Sequence, residues 1–324
     1  MPTRRLPGCM NGQKRASLAI RRAIPEQEGV PVNRGRGDCR MRSEQEMMDT
    51  VLEFARSNSH VRVVTLEGSR ANPRIARDDF QDFDITFLVD DLAPFTADDA
   101  WLSVFGPVLL MQKPEDMELF PPEQPGYSYL LNFADYRKLD LTLLPLGMLK
   151  EYLEGGDGLI RVLLDKDGRI GREIVPTDAA YHLRKPTARM YDDCCNEFWN
   201  LTPYVVKGVC RGELLFAVDH LHLLRQELLR MLSWQVGTER GFCFSVGKNY
   251  KFLPRFLTEK TAEELMSTYR MDSSSAIWAA LLRCHALFRE SAGCVANVLG
   301  YAYPPYDGRI TPYVLEMREK YAKG

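Results

Sequence analysis

Two apolar strands joined by a loop of fixed length, with chemistry at their adjoining ends, restrict this chain more than any other feature. Residues 61–69, VRVVTLEGS, read as a short strand running into Gly68-Ser69. After twelve intervening residues, Asp82-Phe83-Asp84 opens a second strand, DITFLV over 84–89. Side chains two apart on a strand share a face, so Asp82 and Asp84 project together. Like charges that close repel unless a cation lies between them. Mg²⁺ takes oxygen ligands and tolerates few carboxylates beside substrate phosphates. Gly68 would let the backbone approach a phosphate closely. Ser69 offers a hydroxyl and a backbone N–H to the same group. Arg70 adds a charge-assisted donor whose direction the sequence does not fix.

A third acid, Asp140, lies in RKLDLTLL (137–144). There Leu139 and Leu141 face one side of a strand, Asp140 and Thr142 the other. Paired beside the first two, that strand would bring three acids together, which is what a two-metal displacement needs. One ion activates the attacking hydroxyl; the other steadies the triphosphate and the leaving pyrophosphate. The plainer alternative is a solvated acidic surface, because residues 78–91 also hold Asp78, Asp79, Asp90 and Asp91. The Gly-Ser spacing, the following apolar strand and the third acid together argue against it.

The chain has 324 residues, which at about 100–200 residues per domain suggests two domains. Its 45% apolar content supplies two cores, and a formal charge of −2 gives no broad basic field. That argues against a nucleic-acid partner and for a small substrate. The cysteines, at 9, 39, 194, 195, 210, 243, 284 and 294, form no Cys-x-x-Cys unit, and adjacent Cys194 and Cys195 are poorly placed for a mutual disulfide. Reduced thiols in a cytosol are the simpler reading. No run approaches the roughly 18 apolar residues of a membrane span. No His-x-x-x-His pair suggests a catalytic zinc.

Residues 1–40 are basic, rich in Gly, Pro and Arg, and lack an apolar period. A disordered or artefactual extension is expected there, with a transit-like leader as the alternative. From Ser43 the pattern changes. Residues 43–57 have helical spacing, with Ser43 and Glu46 as a capping box. Residues 97–105 read as a helix and 107–112 as a strand. Residues 127–134 and 137–144 form a hairpin around Ala134-Asp135-Tyr136. Gly155-Gly156-Asp157-Gly158 lacks the P-loop spacing and reads as a turn. Beyond Pro186 the runs 187–206, 211–235, 259–270, 273–299 and 312–321 are helical. The expected fold class is therefore α/β + α, with an α/β domain over 41–165 and a helical domain over 166–324.

The segment VTLEGSRAN…DFQDFDIT resembles the nucleotidyltransferase superfamily that includes DNA polymerase beta. MQKPEDMELFPPE (111–123), KLDLTLLPL (138–146), IVPTDAAYHLRKPTAR (174–189), YDDCCNEFWNLTPYVVKG (191–208), VGKNYKFL (246–253) and STYRMDS (267–273) narrow the resemblance. They are similar to the aminoglycoside 6-adenylyltransferases, the streptomycin-modifying resistance enzymes, from Met41 to the C-terminus. The resemblance implies a polymerase-beta-like nucleotidyltransferase domain followed by a C-terminal helical bundle, with the site between them. It also implies transfer of AMP from ATP to the 6-hydroxyl of streptomycin, with Mg²⁺ as the metal.

Such a transfer needs a base. Asp219 lies in an apolar helical run beside Leu215, Phe216, His222 and Leu223. It reads either as that base or as a buried acid paired with His222 or an arginine; the resemblance favours the base. Asp140 is the second candidate. In VGKNYKFLPR, Lys248 and Lys251 could neutralise phosphates and Tyr250 could stack on adenine, or the segment is a solvated turn. A polycationic acceptor calls for acids and aromatics. Asp193 and Glu197 share a helix face, Trp199 lies nearby, and Glu67 flanks the Gly-Ser turn; the alternative is a solvated face with Trp199 in the core. Another acceptor, a protein included, and a non-catalytic nucleotide-binding homologue remain alternatives. Oligomeric state stays open, a monomer included.

Overall fold

The computed structural model describes residues 40–120 and 125–321. The extension expected over 1–40 lies, but for Arg40, outside the described residues. The α/β half begins with α1 (Glu44–Ser57), β1 (Val61–Glu67), the single turn α2 (Gly68–Ala71) and β2 (Phe83–Val89). It continues with α3 (Ala93–Thr96), β3 (Val108–Gln112), β4 (Tyr127–Phe133), β5 (Lys138–Pro145), α4 (Leu149–Gly155) and β6 (Ile160–Asp165). The helical half holds α5 (Ala188–Cys210), α6 (Leu214–Arg240), α7 (Glu259–Ser267), α8 (Ser274–Leu299) and α9 (Tyr306–Tyr321).

α1 starts where its capping box dictates. The Ser43 hydroxyl accepts from Glu46 N, and Ser43 N donates back to the Glu46 carboxylate, satisfying two otherwise orphaned groups. Met47, Val51 and Ala55 of α1 bury against the sheet.

Among the described residues the strands form one mixed sheet in the order β3-β4-β5-β2-β1-β6. β2 pairs antiparallel with β1 and parallel with β5. Alternation then sorts the side chains. Phe83, Ile85, Phe87 and Val89 of β2, with Leu139, Leu141 and Leu143 of β5, join the core beneath α1. The opposite face is polar at one end and apolar at the other, where Val63, Leu88 and Leu144 form a small core with Leu149 and Tyr152. α4 therefore covers one end of that face and leaves the acidic end uncovered by its apolar contacts.

Local structure departs from the sequence pattern in three places. Residues 97–105 form a 3-10 helix over Ala100–Phe105, after a separate turn of helix started by Pro94 and before Gly106 at φ 116°. The run expected from 211 begins at Leu214, because Gly212 turns the chain at φ 71°. Periodicity alone does not mark α4 or β6, which are short and lack a clean period.

The helical half has its own core, drawn from residues 183–317. Phe198 of α5 stacks on Phe288 of α8 at 3.7 Å. Gly208 admits Ala217 of α6 so closely that an added Cβ would lie 2.9 Å from the Ala217 Cβ. Arg225 of α6 is fully buried; it donates to Thr268 Oγ1 and Thr268 O, and its guanidinium lies 4.0 Å over Tyr269. A cation is favoured at a helix C-terminus, and Thr268 is the C-cap of α7. Among the described residues no helix is long and apolar enough to cross a membrane.

His285 is buried between α5 and α8, hydrogen-bonded to Thr202 Oγ1 at 3.0 Å. Burial, with Arg289 nearby, depresses its pKa to about 3. Between its ordinary value near 6.5 and about 3 the unfolded chain binds the extra proton, so stability falls as pH falls through that window. His285→Gln should flatten this acid limb by an amount on the order of a few kcal/mol, measured by urea denaturation at stepped pH. An unchanged limb would contradict the assignment.

Candidate active site on the sheet face

The site is built from the β2–β5 register. Asp84 lies directly opposite Asp140, and Thr86 opposite Thr142. On the other side of β2, Thr65 pairs with Thr86, which places Glu67 beside Asp84. Asp82 precedes β2 by one residue and continues the same face. Thus Glu67, Asp82, Asp84 and Asp140 come together across three strands, while the intervening residues carry the core.

Gly68 is required here for a steric reason. Its φ is +63°, and a Cβ placed on it would lie 2.5 Å from Asp84 Oδ2. Its N–H donates to Leu159 O at 3.2 Å, tying the turn to the segment before β6. Ser69 is half-buried in the same turn.

Arg70 corrects the expectation of a phosphate donor. It is 1% exposed and its donors are committed to Asp82 O, Gln81 O and Glu44 Oε2, with the guanidinium 3.9 Å over Phe83. The α2 turn directs it to the core side of the sheet, where it fixes the backbone that presents Asp82.

Crowding shapes the electrostatics. Burial, then Asp140, Asp82 and Glu67, push Asp84 up to about 6. Burial also raises Asp140, against the opposing pull of Lys138. The Asp140 Oδ1 atom is buried with no hydrogen-bond partner. Lys138, two residues before Asp140 and on the same face, donates to Asp82 Oδ2 at 2.9 Å and Asp140 Oδ2 at 2.7 Å. Burial pulls Lys138 down, but its bonds to Asp140 and Asp82 outweigh this and its pKa is raised. Among the described residues no group of three or more His, Cys, Asp or Glu side chains is arranged to hold a metal ion.

Glu67 is held by hydroxyls. Its Oε1 accepts from Thr65, Thr86 and Tyr152 of α4. A cavity of about 550 Å³ opens beside it, lined by Glu67, Thr86, Thr142, Tyr152 and Asp157. Tyr181, in the segment leading to the helical half, donates to Asp157. Sequence patterning did not single out Lys138, Tyr152 or Tyr181. Lys138 was within reach, since Lys138, Asp140 and Thr142 alternate as Asp82, Asp84 and Thr86 do. The partners of Tyr152 and Tyr181 depend on tertiary placement.

The remaining candidates sit on the helical half. Asp219 is exposed on α6, on a face with exposed Leu215 and Leu223, so the buried, paired acid is not found. Asp193 and Glu197 are exposed on α5, and Asp193 pairs with Arg189 at 2.8 Å. Trp199 is a correction. It is 1% exposed, edge-on to Phe198 and 4.7 Å from His285, and offers no face to a ligand. Lys248 and Lys251 are exposed, while Tyr250, at φ 60°, packs half-buried against the helical core. Among the described residues no hydrogen bond or ion pair joins any of these seven side chains to Asp82, Asp84 or Asp140.

Comparison with known proteins gives this arrangement its family. The sequence profile of the streptomycin adenylyltransferase family matches residues 41–317, starting where the basic segment stops. An aminoglycoside 6-adenylyltransferase of Campylobacter jejuni is 56% identical over 282 residues, spanning 87% of this chain and 98% of that protein. One from Bacillus subtilis (strain 168) is 51% identical over 275 residues, spanning 84% of this chain and 97% of that protein. A crystal structure of an aminoglycoside 6-adenyltransferase from Bacillus subtilis is 46% identical, covers 85% of this chain and 98% of that one, and has a TM-score of 0.43. Sequence identity over nearly the whole of these proteins, rather than superposition, carries the assignment: the chain belongs to the streptomycin adenylyltransferase family.

Proposed function

We propose that this protein transfers AMP from ATP to the 6-hydroxyl of streptomycin, releasing pyrophosphate and so conferring resistance to the drug. The observation that carries the reading is Asp84 facing Asp140 in register, with Gly68 packed against Asp84. In this reading the α/β half is a polymerase-beta-like nucleotidyltransferase domain, and the helical half is a bundle that contributes acceptor-binding residues, with Asp193 and Glu197 as its acids. Glu67 faces the acceptor from the sheet. Lys248, Lys251 and Tyr250 serve the nucleotide. The acceptor class fits an acidic site, because streptomycin is polycationic.

The residue types suit Mg²⁺ by donor chemistry, while their present arrangement, with the Lys138 ammonium between Asp82 and Asp140, does not gather three carboxylates around one point. Asp82 and Asp84, with Asp140 beside them, are hard oxygen donors, and the buried Asp140 Oδ1 lacks a partner. The ion, when bound, supplies charge neutralisation at the triphosphate and the leaving pyrophosphate. The chain's own work is then positional. Gly68 and Ser69 admit the phosphates beside the acids, and Arg70 holds the Asp82 backbone. The acceptor oxygen forms a bond to the α-phosphorus as the bond to the bridging oxygen breaks and pyrophosphate leaves. The hydroxyl proton passes to a carboxylate. Asp140 suits this better than Asp219, because its raised pKa and unpartnered Oδ1 lie among the acids, whereas Asp219 is solvated.

Three outcomes are expected. Protein mixed with ATP, Mg²⁺ and streptomycin should release pyrophosphate well above the drug-free blank; release equal to the blank would sink the reading. Asp84→Asn and Asp140→Asn should each lower kcat by about a thousandfold or more, and Asp219→Asn by less than about tenfold. A collapse of turnover in Asp219→Asn would return the base to α6. Gly68→Ala should lower kcat by about tenfold or more, since an L side chain strains the positive φ and displaces Asp84; wild-type turnover would show that the close packing is immaterial.

A further inference from the structure

Lys138 stands among the acids without a part in the transfer just described. Its Nζ bridges β2 and β5, giving one hydrogen bond to Asp82 Oδ2 and one to Asp140 Oδ2. Its side chain is 33% exposed, so the ammonium can swing into solvent on its flexible four-carbon stem without disturbing the core. Its neighbour Arg137 cannot take its place. Arg137 points to the other side and is tied to Arg42 O, Asp79 O and Asp79 Oδ1. Lys138 is therefore the cation that spans these two acids, and it holds one oxygen of Asp140 while Oδ1 goes without a partner.

We propose that Lys138 is a positioning residue, a tethered counter-cation that keeps Asp82 and Asp140 facing each other until a divalent ion displaces its ammonium. This rests on the metal reading of the acids given above. A divalent ion and an ammonium bound to the same oxygens would lie about 4 Å apart, where repulsion across a partly buried site is severe. Binding of the ion is thus an exchange of cations, and the ion alone binds weakly. An ion arriving with a triphosphate brings additional oxygen ligands of its own and tips the exchange.

The test is a titration of the full-length protein with Mn²⁺ in the absence of nucleotide, following free Mn²⁺ by electron paramagnetic resonance. Lys138→Met should bind Mn²⁺ tighter than wild type by about tenfold or more, because the competing charge is gone. Lys138→Arg, which keeps the charge, should stay near wild type. Loss of packing alone would weaken binding, which is the opposite sign. Equal or weaker binding by Lys138→Met overturns the proposal while leaving the metal site standing. Uptake by none of the three proteins would overturn the metal reading itself, and the proposal with it. Should Lys138→Met fail to fold, Lys138→Gln carries the same expectation.

Discussion

Parallel pairing of β2 with β5 is the constraint on which the rest depends. It sets Phe83, Ile85 and Phe87 against Leu139, Leu141 and Leu143 on one face, and Asp84 against Asp140 on the other. A slip of one residue would turn every side chain to the wrong face, burying acids and exposing leucines. The apolar face therefore enforces a register that electrostatics alone would oppose. Burial first, and the neighbouring acids after it, raise Asp84, and Lys138 offsets part of that shift.

Supporting groups arrange themselves around this pair. Gly68 brings the β1 turn against Asp84, and Arg70 secures the strand that carries Asp82. Tyr152, reaching from α4, fixes Glu67. Each of these holds one acid of the patch from a different element, and the cavity opens beside Glu67.

Much of this was legible in the sequence, and the reasons differ by residue. Strand alternation alone placed Asp82 and Asp84 on one face and Asp140 opposite the leucines of its own strand, because the side-chain period of a strand is fixed by geometry; the pairing of β2 with β5 that joins them is tertiary. The Ser43–Glu46 capping box was equally local. Arg70 was not legible, since an arginine beside a phosphate turn and an arginine under a strand look alike until the turn's direction is known. Trp199 misled for a related reason. Asp193 and Glu197 lie on the exposed face of α5 while Trp199 belongs to the buried one, and nearness in sequence did not reveal the difference. α4 and β6 escaped because short elements with mixed burial carry little periodic signal. The family's name came from longer matching stretches, which speak to ancestry rather than to geometry.

We propose Asp82, Asp84 and Asp140 as one cation-binding, nucleotide-transferring face. Anomalous diffraction from crystals grown with Mn²⁺ and a non-hydrolysable ATP analogue tests it most directly. A manganese peak is expected within coordination distance of Asp82 and Asp84 carboxylate oxygens, beside Asp140, with the α-phosphate against the Gly68-Ser69 turn. A peak elsewhere, or a nucleotide bound away from this sheet face, would contradict it.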